Sequence, residues 1–186
     1  VQAVYGREGD HFRFYEINPT VVEIAQSDFF SYLSDSPAEI EIILGDGRIS
    51  LEQELISHGS NNFDLLVLDA FNSDSVPTHL LTKEAFSLYL QHLKPQGILA
   101  LNISNRYLNL RPAIWILAEH FGLDGIEINN VLKDPRSFPA SWILLTSSQT
   151  FLQNPNVLRA GTLPPRTLPD YKLWTDNYSN LFQLLY

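Results

Sequence analysis

The hexapeptide Phe63-Asp64-Leu65-Leu66-Val67-Leu68 constrains the fold more than any other stretch of this chain. A run so nearly continuous in apolar residues suits a strand covered on both faces, the situation of a parallel sheet flanked by helices. It stops at Asp69, and a loop of Asn72, Ser73, Asp74, Ser75 and Pro77 leads to a helical pattern through Leu80, Ala85, Phe86, Tyr89, Leu90 and Leu93. The same alternation recurs on either side. Phe12 to Ile17 reads as a strand, and Asn18-Pro19 supplies a cap and a first-turn proline for a helix through Val21, Val22, Ile24, Ala25 and Phe29. Ile40 to Leu44 is a strand ending in Gly45-Asp46-Gly47, with Ser50 and Gln53 as the capping box of the helix that follows. Ile98 to Ile103 is a further strand, and Leu110, Ile114, Leu117, Ala118 and Phe121 keep helical spacing. Ile126 to Val131 and Trp142 to Thr146 follow one another without a helix between them, so they are expected to pair antiparallel.

Strand–helix units of this kind predict an α/β fold: a doubly wound, mostly parallel sheet with an antiparallel closing strand. The compact domain is expected over residues 1–148. Residues 149–186 carry clustered prolines together with Trp174, Tyr178, Leu181, Phe182, Leu184 and Leu185. Such a segment is too apolar to float free, and it is expected to pack back on the domain as an arm.

Composition narrows the chemistry. Twelve Lys and Arg against 21 Asp and Glu give a net charge of −9, the wrong sign for a nucleic-acid footprint and compatible with a small cationic partner. There is no Cys, which removes disulfides, thiolate metal sites and cysteine nucleophiles. His11, His58, His79, His92 and His120 lack metal-ligand spacing, so no metal is expected and the histidines read as surface or capping residues, with His79 beside the loop as the one to test. No apolar run is long enough to span a membrane, and no Gly-x-Ser-x-Gly elbow supports a hydrolase. The sequence holds no Met, position 1 included, so further residues are expected upstream of Val1.

In parallel sheets ligands bind beyond the carboxyl ends of the strands. Three strands end there in an acidic residue: Glu16, Asp46 and Asp69. Glu16 suits the hydroxyls of a ribose, Asp46 between Gly45 and Gly47 suits the amino group of a flat base, and Asp69 is left to face the reactive end of a nucleoside ligand. Asn102 and Ser104 end a strand at the same edge and are weighed as further contacts, while Glu84 reads as a first-turn helix charge. Trp115 and Trp142 are read as core.

These residues carry a resemblance. Phe-Tyr-Glu16-Ile-Asn-Pro19, Leu-Gly45-Asp46-Gly47-Arg48 and Asp69-Ala-Phe-Asn-Ser-Asp74-Ser-Val-Pro77 through Glu84-Ala-Phe resemble the cofactor and gate segments of the spermidine synthase family. These polyamine aminopropyltransferases share the fold of S-adenosylmethionine-dependent methyltransferases. The likeness covers residues 1–146. Leu-Trp174-Thr-Asp176-Asn-Tyr-Ser is similar to the terminal segment of a bacterial branch often fused to membrane transporter-like segments.

The resemblance implies Gly45, Asp46, Gly47 and Glu16 as cofactor contacts, Asp69 as both a cofactor-side and a catalytic carboxylate, and Asp74 as the second acidic contact to the amine. Decarboxylated S-adenosylmethionine, or S-adenosylmethionine itself, is the implied co-substrate, and a small amine such as putrescine the acceptor. It also implies a cytoplasmic setting, self-association and a membrane-anchored parent. The family's first strand and glycine-rich turn are expected upstream, leaving a gap between the strands that end at Glu16 and Asp69, and weak nucleoside binding by residues 1–186 alone. The rival readings are a methyltransferase of unknown acceptor and a non-catalytic nucleoside-sensing domain. Asn18, where the family tends to carry an acidic residue, and a gate loop two residues longer set this chain apart.

Overall fold

The Asn18-Pro19 pair starts a helix where the sequence predicts one. In the computed structural model, which describes residues 2–70, 76–130, 139–165 and 170–186, strand β1 (His11–Glu16) runs into helix α1 (Pro19–Ala25), whose Asn18 cap accepts a hydrogen bond from the Thr20 amide. α1 ends a turn sooner than its apolar spacing predicts. The Ser27 hydroxyl donates to the Ile24 carbonyl at 2.6 Å, a local bond that competes with the next helical turn. Phe29 is left 87% exposed.

Strand β2 (Glu39–Leu44) pairs parallel with β1 and leads into α2 (Gly47–His58). The expected capping box at Ser50 and Gln53 is not what starts α2. Asp46 is the cap: its Oδ1 accepts the Ile49 amide at 3.0 Å and its carbonyl accepts the Ser50 amide at 2.9 Å. A carboxylate at that position satisfies an otherwise unpaired first-turn donor one turn earlier than Ser50 can. This first unit, Val1–His58, is tied by a polar network. The Tyr15 hydroxyl donates to Glu54 at 2.7 Å, and Arg13 bridges Glu54 and Glu41. Burial, reinforced by the Glu54 carboxylate, pushes the Tyr15 hydroxyl well above its ordinary range, so the donor stays protonated.

The second unit, Gly59–Tyr186, holds a five-stranded sheet. Its strands are β3 (Phe63–Leu68), β4 (Leu93–Asn102), β5 (Asp124–Asn130), β6 (Ala140–Thr146) and the two-residue β7 (Gly161–Thr162), in the order β3-β4-β6-β5-β7. Helices α3 (Lys83–His92), α4 (Arg111–His120), α5 (Gln149–Leu152) and α6 (Pro155–Ala160) complete it. β3 and β4 are parallel. β6 is antiparallel to both β4 and β5, so the antiparallel closing strand sits between two strands of the opposite direction.

Among the described residues the strands form two sheets, where the sequence predicts one. Among these residues β1 pairs only with β2, and β3 only with β4. The covered-strand signal belongs to β4, whose Leu99, Ala100 and Leu101 are all buried. β3 stands at an edge, with Leu65 and Val67 exposed.

Leu99, Leu101, Ile114, Leu117, Ile126, Ile143 and Leu145 form the core of this unit, with Phe86 and Tyr89 of α3. Trp115 is buried, as its spacing predicts, and Trp142 is half-buried. His92 departs from the surface reading: it is fully buried, and its Nδ1 accepts the Asn61 amide.

The Arg111 guanidinium grips the Glu127 carboxylate through Nε and Nη2 at 2.7–2.9 Å, joining α4 to β5. Burial pushes the Glu127 carboxyl up, but hydrogen bonds from Arg111 and Asn129 and the neighbouring positive charge outweigh it and hold the group below the ordinary glutamate range. Stability from this pair is therefore complete above that range and is lost as pH falls through the lowered folded value. Arg111→Ala is expected to cost about 1.5–3 kcal/mol at neutral pH, because it strands a partly buried carboxylate. The penalty should shrink towards zero in acid, as denaturant titrations of variant and wild type at a series of pH values will read.

Candidate functional site

Each acidic strand end is built differently. Glu16 closes β1, and its Oε1 accepts the Asn18 amide at 2.8 Å, which fixes the carboxylate beside the start of α1. Among the described residues its Oε2 accepts no hydrogen bond, so a half-buried acceptor remains available to a diol. The Gly45 amide donates to the Glu16 carbonyl at 2.9 Å, which brings the end of β2 beside the end of β1.

Gly45 sits at φ 155°, a backbone conformation that side-chain-bearing residues rarely adopt, and a Cβ there would meet the Ser50 hydroxyl at 3.0 Å. Gly47 is under no such constraint: a Cβ would lie 3.5 Å from that of Tyr15, an ordinary contact. Asp46 between them is half-buried, with one oxygen engaged at the head of α2. Its role as a cap makes two substitutions informative. Asp46→Ala should lose about 0.5–2 kcal/mol of stability along with any ligand contact, whereas Asp46→Asn should keep the cap and lose only the charge, because the two residues cap about equally well. Denaturant midpoints of the two variants, read beside nucleoside titrations, separate these effects.

In the second unit, β3 and β4 run parallel and their carboxyl ends share an edge. There the Asn102 amide nitrogen donates to Asp69 Oδ1 at 2.6 Å. The direction of that bond is set from behind. Asn102 Oδ1 accepts the Ser104 amide at 2.9 Å, so its NH₂ group must face Asp69. The Ser104 hydroxyl in turn accepts the Ser141 amide from β6 at 2.9 Å. Asn102 and Ser104, weighed from sequence as direct contacts, serve here to hold the carboxylate that a contact would use. Asp69 itself is exposed.

Asp74 lies outside the described residues, as do Asn72, Ser73 and Ser75. His79 is exposed on the 3₁₀ turn Thr78–Leu80. Glu84 does not stand as a bare first-turn charge: its Oε2 accepts the amide of Asp176, ninety-two positions away. Composition and spacing give no signal for that contact. Among the described residues no cluster of three His, Asp or Glu is placed to hold a metal ion, and no helix is long and apolar enough to cross a membrane.

No family model matches the chain. Over 92 residues, half of this chain, it is 30% identical to the polyamine aminopropyltransferase of Vibrio vulnificus. Over that stretch the chain is similar to a polyamine aminopropyltransferase. A probable polyamine aminopropyl transferase of Bifidobacterium longum is 31% identical over 91 residues. The matches span 29% and 19% of those two relatives, well under their full length.

Among solved structures, a probable spermidine synthase from Corynebacterium glutamicum superposes with a TM-score of 0.56 at 17% identity, covering 82% of this chain and 55% of that one. An O-methyltransferase from Bacillus cereus, solved with S-adenosylhomocysteine, gives 0.51 at 13% identity over 75% of this chain and 64% of its own. The fold is accordingly the α/β fold of the S-adenosylmethionine-dependent methyltransferases.

Proposed function

We propose that this spermidine synthase-like chain belongs to an aminopropyltransferase, which moves the aminopropyl group of decarboxylated S-adenosylmethionine to a small cationic amine such as putrescine. The observation that carries the reading is the Asp69–Asn102 pair: a carboxylate at the carboxyl end of β3, held in one orientation by an amide whose own direction is fixed through Ser104. Aminopropyl transfer needs a group of this kind. The amine nitrogen attacks the carbon next to the sulfonium, the carbon–sulfur bond breaks with its electron pair going to sulfur, and the nitrogen gives up a proton. A positioned carboxylate attracts the cationic acceptor and takes that proton, leaving a neutral thioether nucleoside.

On the family resemblance we also assign, within the first unit, Glu16 to the ribose hydroxyls, which its Oε2 suits, and Asp46 to the amino group of adenine, with Gly45 and Gly47 on either side. Asp74 completes the proposal as a second carboxylate for the amine. A cytoplasmic setting, self-association and a membrane-anchored parent belong to the same reading and rest on the family resemblance alone.

Calorimetric titration of the natural full-length polypeptide tests the assignment. Decarboxylated S-adenosylmethionine should bind more tightly than the carboxylated form. The reverse preference would favour the methyltransferase reading that the Bacillus cereus neighbour keeps in view.

A further inference from the structure

The C-terminal segment makes contacts that neither its composition nor the proposed chemistry requires. The Trp174 carbonyl accepts the amide of Lys83, the first residue of α3, at 2.9 Å. The cap of that helix, Thr82, is buried and uses its hydroxyl twice, accepting the Ala85 amide and donating to Asp176 Oδ1 at 2.7 Å. Asp176 is bound back, since its own amide donates to Glu84 Oε2 at 2.9 Å. A tight turn in which Thr175 and Tyr178 exchange backbone hydrogen bonds presents Asp176 for this, and the Lys172 ammonium sits 4.2 Å from the centre of the Tyr178 ring. One turn of the C-terminal segment therefore meets three consecutive residues at the head of α3, and the Trp174 carbonyl satisfies the Lys83 amide, a donor that a helix start leaves without a partner.

The same segment is fastened a second time. The Leu184 carbonyl accepts the Asn109 amide at 2.7 Å, the Tyr186 amide donates to the Tyr107 carbonyl at 3.2 Å, and Leu184 is buried. Thr82 is the cap of α3 and Lys83 and Glu84 are its first two residues, while residues 107–109 lie in the connection that leaves β4 after Asn102. One strap thus fastens the head of α3 and the connection that follows Asn102.

We infer that Asp176 is a positioning residue for the site built on Asp69, acting through Thr82 and Glu84 to hold the head of α3, the helix that packs on β4 beside that site. The inference rests on the proposed function for its kinetic meaning and on geometry alone for the strap. It predicts a graded pattern in the full-length polypeptide. Asp176→Ala should lower kcat/KM by about tenfold through the KM of the amine, since small displacements of positioning elements are costly, while nucleoside affinity stays within about twofold. Asp176→Asn keeps an oxygen acceptor for the Thr82 hydroxyl and should recover most of the loss. Amide hydrogen exchange supplies a reading that needs no activity: exchange at Lys83 and Ala85 should quicken by about tenfold or more in the alanine variant and return in the asparagine variant.

Equal kinetic loss in both variants, or loss in kcat alone with exchange at Lys83 and Ala85 unchanged, overturns the inference. If wild type transfers no aminopropyl group, the proposed function fails, and exchange alone then decides whether the strap holds α3.

Discussion

Replacing Asp69 by asparagine should cut aminopropyl turnover by roughly 10²–10⁴-fold, the usual worth of a positioned acid–base group, while nucleoside affinity moves by less than about twofold. The substitution is a fair one because the structure shows what it spares. An asparagine at this position still offers an oxygen to the Asn102 amide, which is aimed by the Ser104 backbone and not by Asp69 itself. Geometry survives and charge does not. Steady-state kinetics with saturating amine, beside a binding titration, separate the two. A variant that turns over within tenfold of wild type would remove Asp69 from the proton's path.

Trp174→Ala should cost about 3–5 kcal/mol of stability, the range for truncating a buried Trp to Ala. Trp174 is 4% exposed in a segment with little regular structure, and its backbone carbonyl helps to start α3. Phe182 is the internal control. It is equally aromatic and nearby in sequence but 84% exposed, so its replacement by Ala should stay within about 0.5 kcal/mol. Denaturant unfolding followed by tryptophan-independent circular dichroism measures both. A Trp174 penalty under 1 kcal/mol would mean that the strap is laid on the unit rather than built into it.

Much of the fold was legible in the sequence because its signals are local. Asn18-Pro19 had to start a helix, and the closing strands had to pair antiparallel once no helix lay between them. Two of the readings that failed did so for physical reasons that a linear pattern hides. Ser50 and Gln53 match the spacing of a capping box, but Asp46 stands one turn earlier with a stronger acceptor, and the helix starts there. The apolar run of β3 reads as a covered strand, but only Leu66 is buried, because β3 pairs on one side alone among the described residues.

The candidate site divides along the same line. Glu16, Asp46 and Asp69 announced themselves as acidic ends of strands, a pattern visible in one dimension. The grip of Asn102 on Asp69 depends on which strands are neighbours, and the grip of Asp176 on Thr82 spans 94 positions. Contacts of that range leave no mark on local composition.

The central claim is the reaction, and the measurement that tests it most directly is the mass spectrum of the products. The natural full-length polypeptide, given decarboxylated S-adenosylmethionine and putrescine, should yield spermidine and methylthioadenosine in equal amounts, with both products lost in Asp69→Asn. Methylation of an acceptor by ordinary S-adenosylmethionine, or nucleoside binding with no transfer of either group, would contradict the account.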